Sequence, residues 1–190
     1  MRATGRLWIL PLVPALVLAL TGAGDPATVA CYTTDGALIV PPDYREWVFL
    51  SAGLDMSYAD APPMAGHSTF DNVFVDRSAW QRFRETGHWP DGAVFVLELR
   101  HASTQGSINR RGAYQTEELM ALEFHVHDEA RFKGGWAFFE SAGASPARLL
   151  PVSEACYSCH LEHGAVDTTF TQFYPVARAI AVKAGTLRAP

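Results

Sequence analysis

The sequence predicts an α+β fold: a mainly antiparallel β-sheet with flanking helices, closed by helices near the C-terminus. Two observations carry that prediction. Runs of β-branched and aromatic residues fill the middle of the chain, and the residues after Pro151 carry helical signals instead. Length sets the scale. Of 190 residues, 166 follow Gly24, enough for one domain with a sizeable core.

The elements follow in chain order. Residues 1–24 have the layout of a secretory signal peptide: Arg2 and Arg6 without an acid, then a 14-residue apolar run from Leu7 to Leu20, then small residues at Thr21-Gly22-Ala23. The run is shorter than the roughly 20 residues that span a bilayer, and Pro11 and Pro14 interrupt it. Cys31 lies too far beyond it for a lipid-attachment cysteine. The expectation is cleavage near Gly24, a single domain over 25–190 and a periplasmic mature protein. Pro41-Pro42-Asp43 opens a short helical turn through Trp47, with Asp43 as N-cap. Asp55 to Thr69, with two prolines and Gly66, predicts a loop. Phe70 to Val75 predicts a strand. Asp76 caps a helix that Gly87 ends, and Trp89-Pro90-Asp91-Gly92 is a turn. Ala93 to Arg100 predicts a strand buried on both faces, and Ala102 to Arg111 a polar loop. Leu119 to His127 and Trp136 to Glu140 predict two more strands, with the bend between them at Gly134-Gly135. A helix is expected from about Glu154, and another over Phe170 to Ala184.

Composition excludes some functions. Removing Arg2 and Arg6 from the 15 basic residues leaves 13 against 20 acidic ones, a formal charge of −7. Nucleic acid and anionic membrane surfaces both select for basic patches, so neither is an expected partner. No repeat, charged tail or low-complexity tract is present.

The chemistry concentrates in Cys156-Tyr157-Ser158-Cys159-His160. C-x-x-C-H is the attachment signature of a c-type haem. Side chains at i and i+3 share one side of a helical turn, so both thiols can form thioethers with the vinyl edge of one porphyrin. His160, next in the chain, is carried beneath the ring as the proximal iron ligand. A zinc site would need a second cysteine or histidine pair at ligand spacing, and only Cys31 remains. A redox C-x-x-C would need a βαβ context that the flanks do not supply. One covalent haem c per chain is therefore expected, and export agrees with it. Cys31, without an intrachain partner, is assigned no function.

Other segments accompany this motif: Tyr44-Arg45-Glu46-Trp47-Val48, Asn72-Val73-Phe74-Val75, Thr86-Gly87-His88-Trp89-Pro90-Asp91-Gly92-Ala93-Val94, Gly135-Trp136-Ala137-Phe138 and Phe170-Thr171-Gln172-Phe173-Tyr174-Pro175. In this order and spacing, over Tyr44 to Val176, the chain resembles the cytochrome P-460 family, which includes the cytochromes c-prime-beta. The resemblance implies a c-type haem docked on an antiparallel sheet, a histidine on one side of the iron, an open or weakly occupied sixth position, and frequent homodimers. Hydroxylamine-oxidising members carry a lysine, cross-linked to the haem edge, in the strand after the Asp-Gly turn. Its position falls on Leu97, and that strand contains no lysine. Leucine has no nucleophilic atom, so the chain looks more like the c-prime-beta branch, which lacks the cross-link and binds small gases such as NO and CO.

If Leu97 faces the haem, strand alternation places Phe95 and Leu99 beside it, and Phe70 in the neighbouring strand is expected to join them. Such an apolar wall suits neutral diatomics and offers no clear base for hydroxylamine chemistry. Asp71 is the better candidate for a polar group near the pocket; Glu98 lies on the face opposite Leu97, and Glu123 and Glu140 are further strand carboxylates. His125, His127 and Asp128 are expected on a solvated strand face rather than around a metal. His163 is expected to support the helix end or bond a propionate. Met56, Met64 and Met120 are the candidate sixth ligands of an electron carrier, which would also need a redox partner protein. Three readings stay open: a five-coordinate gas-binding cytochrome, an oxidoreductase acting on hydroxylamine or nitrogen oxides, and a six-coordinate electron carrier.

Overall fold

A computed structural model describes residues 29–56, 68–106, 108–143 and 146–188. The expected signal peptide, Met64 and most of the Asp55–Thr69 loop lie outside the described residues. The fold is α+β. Six antiparallel strands lie in chain order: β3 (Val48–Leu54), β4 (Thr69–Val75), β5 (Val94–Ser103), β6 (Tyr114–His127), β7 (Trp136–Ser141) and β8 (Arg148–Leu149). A small second sheet pairs β1 (Cys31–Tyr32) with β2 (Leu38–Ile39). Among the described residues there are three α-helices: α1 (Arg77–Thr86), α2 (Ala155–His163) and α3 (Pro175–Ala184).

Several elements form for the reasons visible in the sequence. Asp76 caps α1 by accepting a bond from Ala79 N at 2.8 Å, while its other oxygen accepts one from Val94 N at 2.9 Å. One buried carboxylate thus satisfies an orphan helix donor and fixes α1 to β5. Gly87 ends α1 with φ +76°, and a Cβ there would meet the Ala184 Cβ at 2.4 Å. Only glycine allows both the left-handed turn and the close approach of α3.

Some expectations need correction. Val48–Leu54, for which the sequence predicts no element, is a strand at the sheet edge; Ser51, Ala52 and Gly53 dilute its β-character in the sequence. Strand β5 runs on to Ser103 and β6 begins at Tyr114, because an antiparallel partner propagates the ladder into residues that read as polar loop. The helix expected from Phe170 is a 3-10 turn at Thr171–Phe173, and α3 starts only at Pro175; proline suits a first helical turn because it has no N–H to leave unpaired. Asp43 precedes the 3-10 turn at Tyr44–Glu46 but makes no side-chain cap.

Register assigns every strand residue to one of two faces, since directly opposed residues share a face. Phe74, Val96, Phe124 and Phe139 line up across β4 to β7, and the N-terminal segment with Leu38, Tyr44 and Trp47 packs over them. The opposite face carries Val75, Phe95, His125 and Phe138 in one row and Val73, Leu97, Glu123 and Glu140 in the next. Helices α1 and α3 cover one part of this second face around Phe83, Trp89 and Ala177. Its other part borders a cavity.

Candidate functional site

Two structural units meet at a cavity of about 380 Å³. The sheet supplies Ser51, Gly53, Asp71, Val73, Phe95, Leu97, Glu123, His125 and Phe138; helix α2 supplies Ala155, Cys156, Cys159 and His160, and Phe170, Phe173 and Tyr174 close the rim. The volume falls within the range of roughly 300–1,000 Å³ typical of cofactor and ligand sites. Of the sequence-predicted site residues, Cys156, Cys159, His160, Leu97 and Phe95 line this one cavity. Phe70 does not join them: it pairs with Arg100, so the period of two sends it to the sheet's other face. Its neighbour Asp71 takes the cavity side.

Cys156 and Cys159 are half-buried free thiols one helical turn apart on α2. Burial, reinforced by the negative charge of Glu123, pushes the Cys156 thiol above its ordinary pKa and keeps it protonated. His160 is held with more constraint. Its Nδ1 lies 2.8 Å from the Thr168 carbonyl oxygen, which can only accept, so Nδ1 carries the proton and the Nε2 lone pair is left for a metal. Burial lowers the His160 pKa despite that bond, which keeps the imidazole in the neutral form a ligand needs.

The Thr168 carbonyl reaches His160 through an unusual turn. Asp167 and Thr168 both take positive φ, 46° and 60°, a conformation that costs non-glycine residues about 1–2 kcal/mol each. Gly164 permits the turn to fold back, since a Cβ there would lie 2.5 Å from the Thr168 carbonyl carbon and 2.6 Å from the His160 oxygen. Asp167 tethers the loop by accepting from Trp89 N at 2.7 Å, and its carboxylate lies 3.1 Å from His88 Nδ1. The sequence holds Asp167 and Thr168 in plain view, but neither residue type signals a backbone carbonyl aimed at a histidine eight positions earlier.

His125 is the largest departure from expectation. It is buried, not solvated, and its ring stacks on Phe138 at 4.2 Å and 8°. It meets His160 edge-on at 4.6 Å between ring centres. Burial, then the neighbouring His160 and His127, hold its pKa well below the ordinary value, so it is neutral. Its Nε2 is buried without a hydrogen-bond partner. His127 stacks on Trp136 at 4.3 Å and donates from Nδ1 to the Pro90 carbonyl at 2.9 Å. Among the described residues no cluster of three or more metal-ligating side chains forms. His163 lies at the exposed end of α2, 3.8 Å from Glu162.

The carboxylates separate by face. Glu123 lies opposite Leu97 in the register and lines the cavity, where burial, Glu140 and Asp71 raise its pKa. Burial also raises the pKa of Asp71. The expectation that the pocket lacks a base is thereby corrected: alternation on β6, paired residue for residue with β5, puts a carboxylate beside Leu97. Glu140 shares that row but does not line the cavity. Met56 lines the cavity; Met120 falls in the register shift between Leu99 and Arg100 and does not.

Two thiols, a neutral imidazole with a free ring nitrogen and a mainly apolar wall define a haem-type site. The cytochrome P460 family model matches residues 41–171, and the chain belongs to that family. No curated protein matches the chain. Membership makes haem the implied cofactor, and the residues present fit it: Cys156, Cys159 and His160 of the C-x-x-C-H motif line one mainly apolar cavity.

Proposed function

We propose that this chain is an exported c-type haem protein that binds small neutral gases such as NO and CO. One haem is held by thioethers to Cys156 and Cys159, with His160 as the iron ligand. The observation that carries this reading is the convergence of both thiols and the Thr168-oriented His160 on one cavity walled by Phe95, Leu97 and Val73. A bound haem supplies an iron that takes up diatomic ligands and exchanges one electron. The chain's own residues do the rest. Thr168 fixes the imidazole tautomer, the apolar wall excludes water, and Leu97 leaves the haem edge without a nucleophile.

Acid-acetone extraction and the ferrous optical spectrum test this reading. The haem should stay with the protein, and the spectrum should be broad and high-spin until CO is added. Haem lost to the solvent would refute covalent attachment. A low-spin spectrum without added ligand would instead promote an electron carrier with Met56, which lines the cavity, as sixth ligand. Intact mass tests export, with loss of residues 1–24 expected.

A second reading, oxidation of hydroxylamine or transformation of nitrogen oxides, is favoured by Glu123. A buried carboxylate with a raised pKa is suited to accept a substrate proton. Rapid hydroxylamine turnover with an artificial acceptor, abolished in Glu123→Gln, would establish this reading over the first.

A further inference from the structure

We propose that Asp167 is a positioning residue for the iron ligand: its carboxylate, anchored on Trp89, keeps the Thr168 carbonyl on His160 Nδ1. The inference rests on the haem reading above and goes beyond it, because the C-x-x-C-H motif carries no instruction for the side chain at position 167.

The turn is an unfavourable one. Asp167 and Thr168 are consecutive residues at positive φ, and a β-branched threonine is rare there. Backbone in such regions persists only where its surroundings over-determine it. The turn's own bonds lie at its base: Thr169 N donates to the Val166 carbonyl at 2.7 Å, and Ala165 N to the Thr169 carbonyl at 2.8 Å. Both lie outside the two strained residues. Thr168 adds no hold through its side chain, since its buried hydroxyl has no hydrogen-bond partner among the described residues. The side-chain hold comes from Asp167.

Asp167 Oδ2 accepts from Trp89 N at 2.7 Å, and Oδ1 lies 3.1 Å from His88 Nδ1. The two contacts differ in weight. The His88 side chain is 59% exposed, so solvent screens its attraction. Trp89 is buried and stacks on Phe83 at 3.8 Å and 16°. Its indole Nε1 also donates to Thr171 Oγ1 at 3.0 Å, and that hydroxyl lies 2.6 Å from Thr169 Oγ1. One core residue therefore grips the turn at Asp167 and again just beyond its end.

The consequence falls on His160. Its ring is packed by His125 at 4.6 Å, Phe138 at 4.7 Å and Phe170 at 4.2 Å, which leaves it little room to follow a displaced carbonyl. If the turn relaxes, the 2.8 Å bond from Nδ1 to Thr168 lengthens or breaks. Such a bond orients the ring and raises the basicity of the nitrogen that faces a metal. Its loss weakens the iron–imidazole bond.

NMR of the mature ferrous holoprotein, read on its diamagnetic CO complex, tests the assignment. Asp167→Gly adopts the positive φ without steric cost but has no acceptor for Trp89 N. Asp167→Asn keeps an acceptor and tolerates the left-handed conformation. In Asp167→Gly the His160 Nδ1 proton should lose its hydrogen-bonded downfield resonance, and in Asp167→Asn it should keep it. A stability loss in Asp167→Gly with that resonance in place would make Asp167 a structural tether alone and overturns the proposal. So does loss of the resonance in Asp167→Asn, which would make the charge rather than the anchor responsible. If Asp167→Gly does not accumulate, Asp167→Asn carries the test: a retained resonance supports the proposal and its loss overturns it. Intact mass is measured first. Absence of a covalently added haem would sink the haem reading itself, while the Nδ1 resonance of the haem-free variants would still report on Asp167.

Discussion

The two faces of the central sheet bury glutamates on adjacent strands and treat them in opposite ways. Glu98 of β5 is fully buried and answered on all sides: Tyr44 Oη at 2.5 Å, Arg45 at 3.1 Å, Asn72 Nδ2 at 3.3 Å, and Arg100, whose terminal nitrogen donates at 3.1 Å while its Nε lies 2.9 Å away as an ion-pair contact. Burial raises its pKa, but the bonds from Arg100 and Tyr44 and the two arginine charges outweigh that, and the net shift is downward. Burial, reinforced by the same carboxylate, pushes the Tyr44 hydroxyl up to about 12. Glu123 of β6, on the cavity face, has carboxylates rather than arginines around it, and its shift is upward. One face spends its polar groups on stability. The other keeps a carboxylate uncompensated, as sites that move protons do.

The largest expected effect tests the satisfied face. Glu98→Ala leaves the buried Tyr44 hydroxyl without its acceptor and two arginines without their counter-charge, while Asn72 keeps its shorter bond to Gln115 at 2.7 Å. Removing one partner of such a network costs about 3–5 kcal/mol, so denaturant unfolding should show a loss near the lower end, Arg45 being half exposed. The pH dependence follows from the sign. With its folded pKa below the ordinary 4.5, Glu98 stabilises the protein at pH above 4.5 and loses that contribution as pH falls through its lowered value. The variant should lack this acid-limb loss.

Much of this arrangement was legible in the sequence, and the limits have physical causes. C-x-x-C-H encodes its own geometry, because i, i+3 spacing on a helix is local. The α1 cap at Asp76 and stop at Gly87 are local as well. Face assignments along one strand also came through: Phe95 and Leu97 together, Glu98 opposite. Assignments across strands did not. Phe70 was one residue out of register, and a one-residue step changes the face. His125 looked solvated because its burial comes from Phe138, Trp136 and α2, all distant in sequence. The Thr168 carbonyl was invisible for a different reason: backbone groups leave no mark on residue identity.

The next effect concerns the turn that serves the cavity face. In Gly164→Ala the new Cβ would press on backbone at both Thr168 and His160. Overpacking of this kind costs about 1–3 kcal/mol, and relief requires the turn to move. Unfolding should register that loss, and NMR should show the His160 Nδ1 proton losing its bond to Thr168. A stability loss with that bond intact would show that the turn does not position the imidazole.

Glu123→Gln should have a smaller effect and an opposite pH signature to Glu98→Ala. A raised folded pKa means that folding favours the protonated carboxyl. The destabilisation is absent well below 4.5, grows as pH rises through 4.5, and is complete above the folded value. The glutamine variant should therefore match the unmodified protein in acid and exceed it at neutral pH. A variant less stable at neutral pH would mean that Glu123 has a cationic or donor partner after all.

The smallest expected change in stability comes from Leu97→Lys, which would give Glu123 the partner that Glu98 already has. Leu97 and Glu123 are directly opposed across β5 and β6, so their side chains leave the sheet on the same side. The introduced amine loses some apolar packing and pays for partial burial, while its attraction to the carboxylate offsets part of that cost. The two effects oppose, and unfolding should move by about 1 kcal/mol or less, within the scale of modest single substitutions. The informative reading is the titration of Glu123 itself, followed by carbon NMR of the labelled carboxyl. Its midpoint should fall from the raised position toward, or below, the ordinary carboxylate value, because a nearby cation favours the charged form. An unchanged midpoint would mean that the side chains at positions 97 and 123 do not meet in the cavity. The contrast between the two faces would then lose its simplest cause, the absence of a cation beside Glu123.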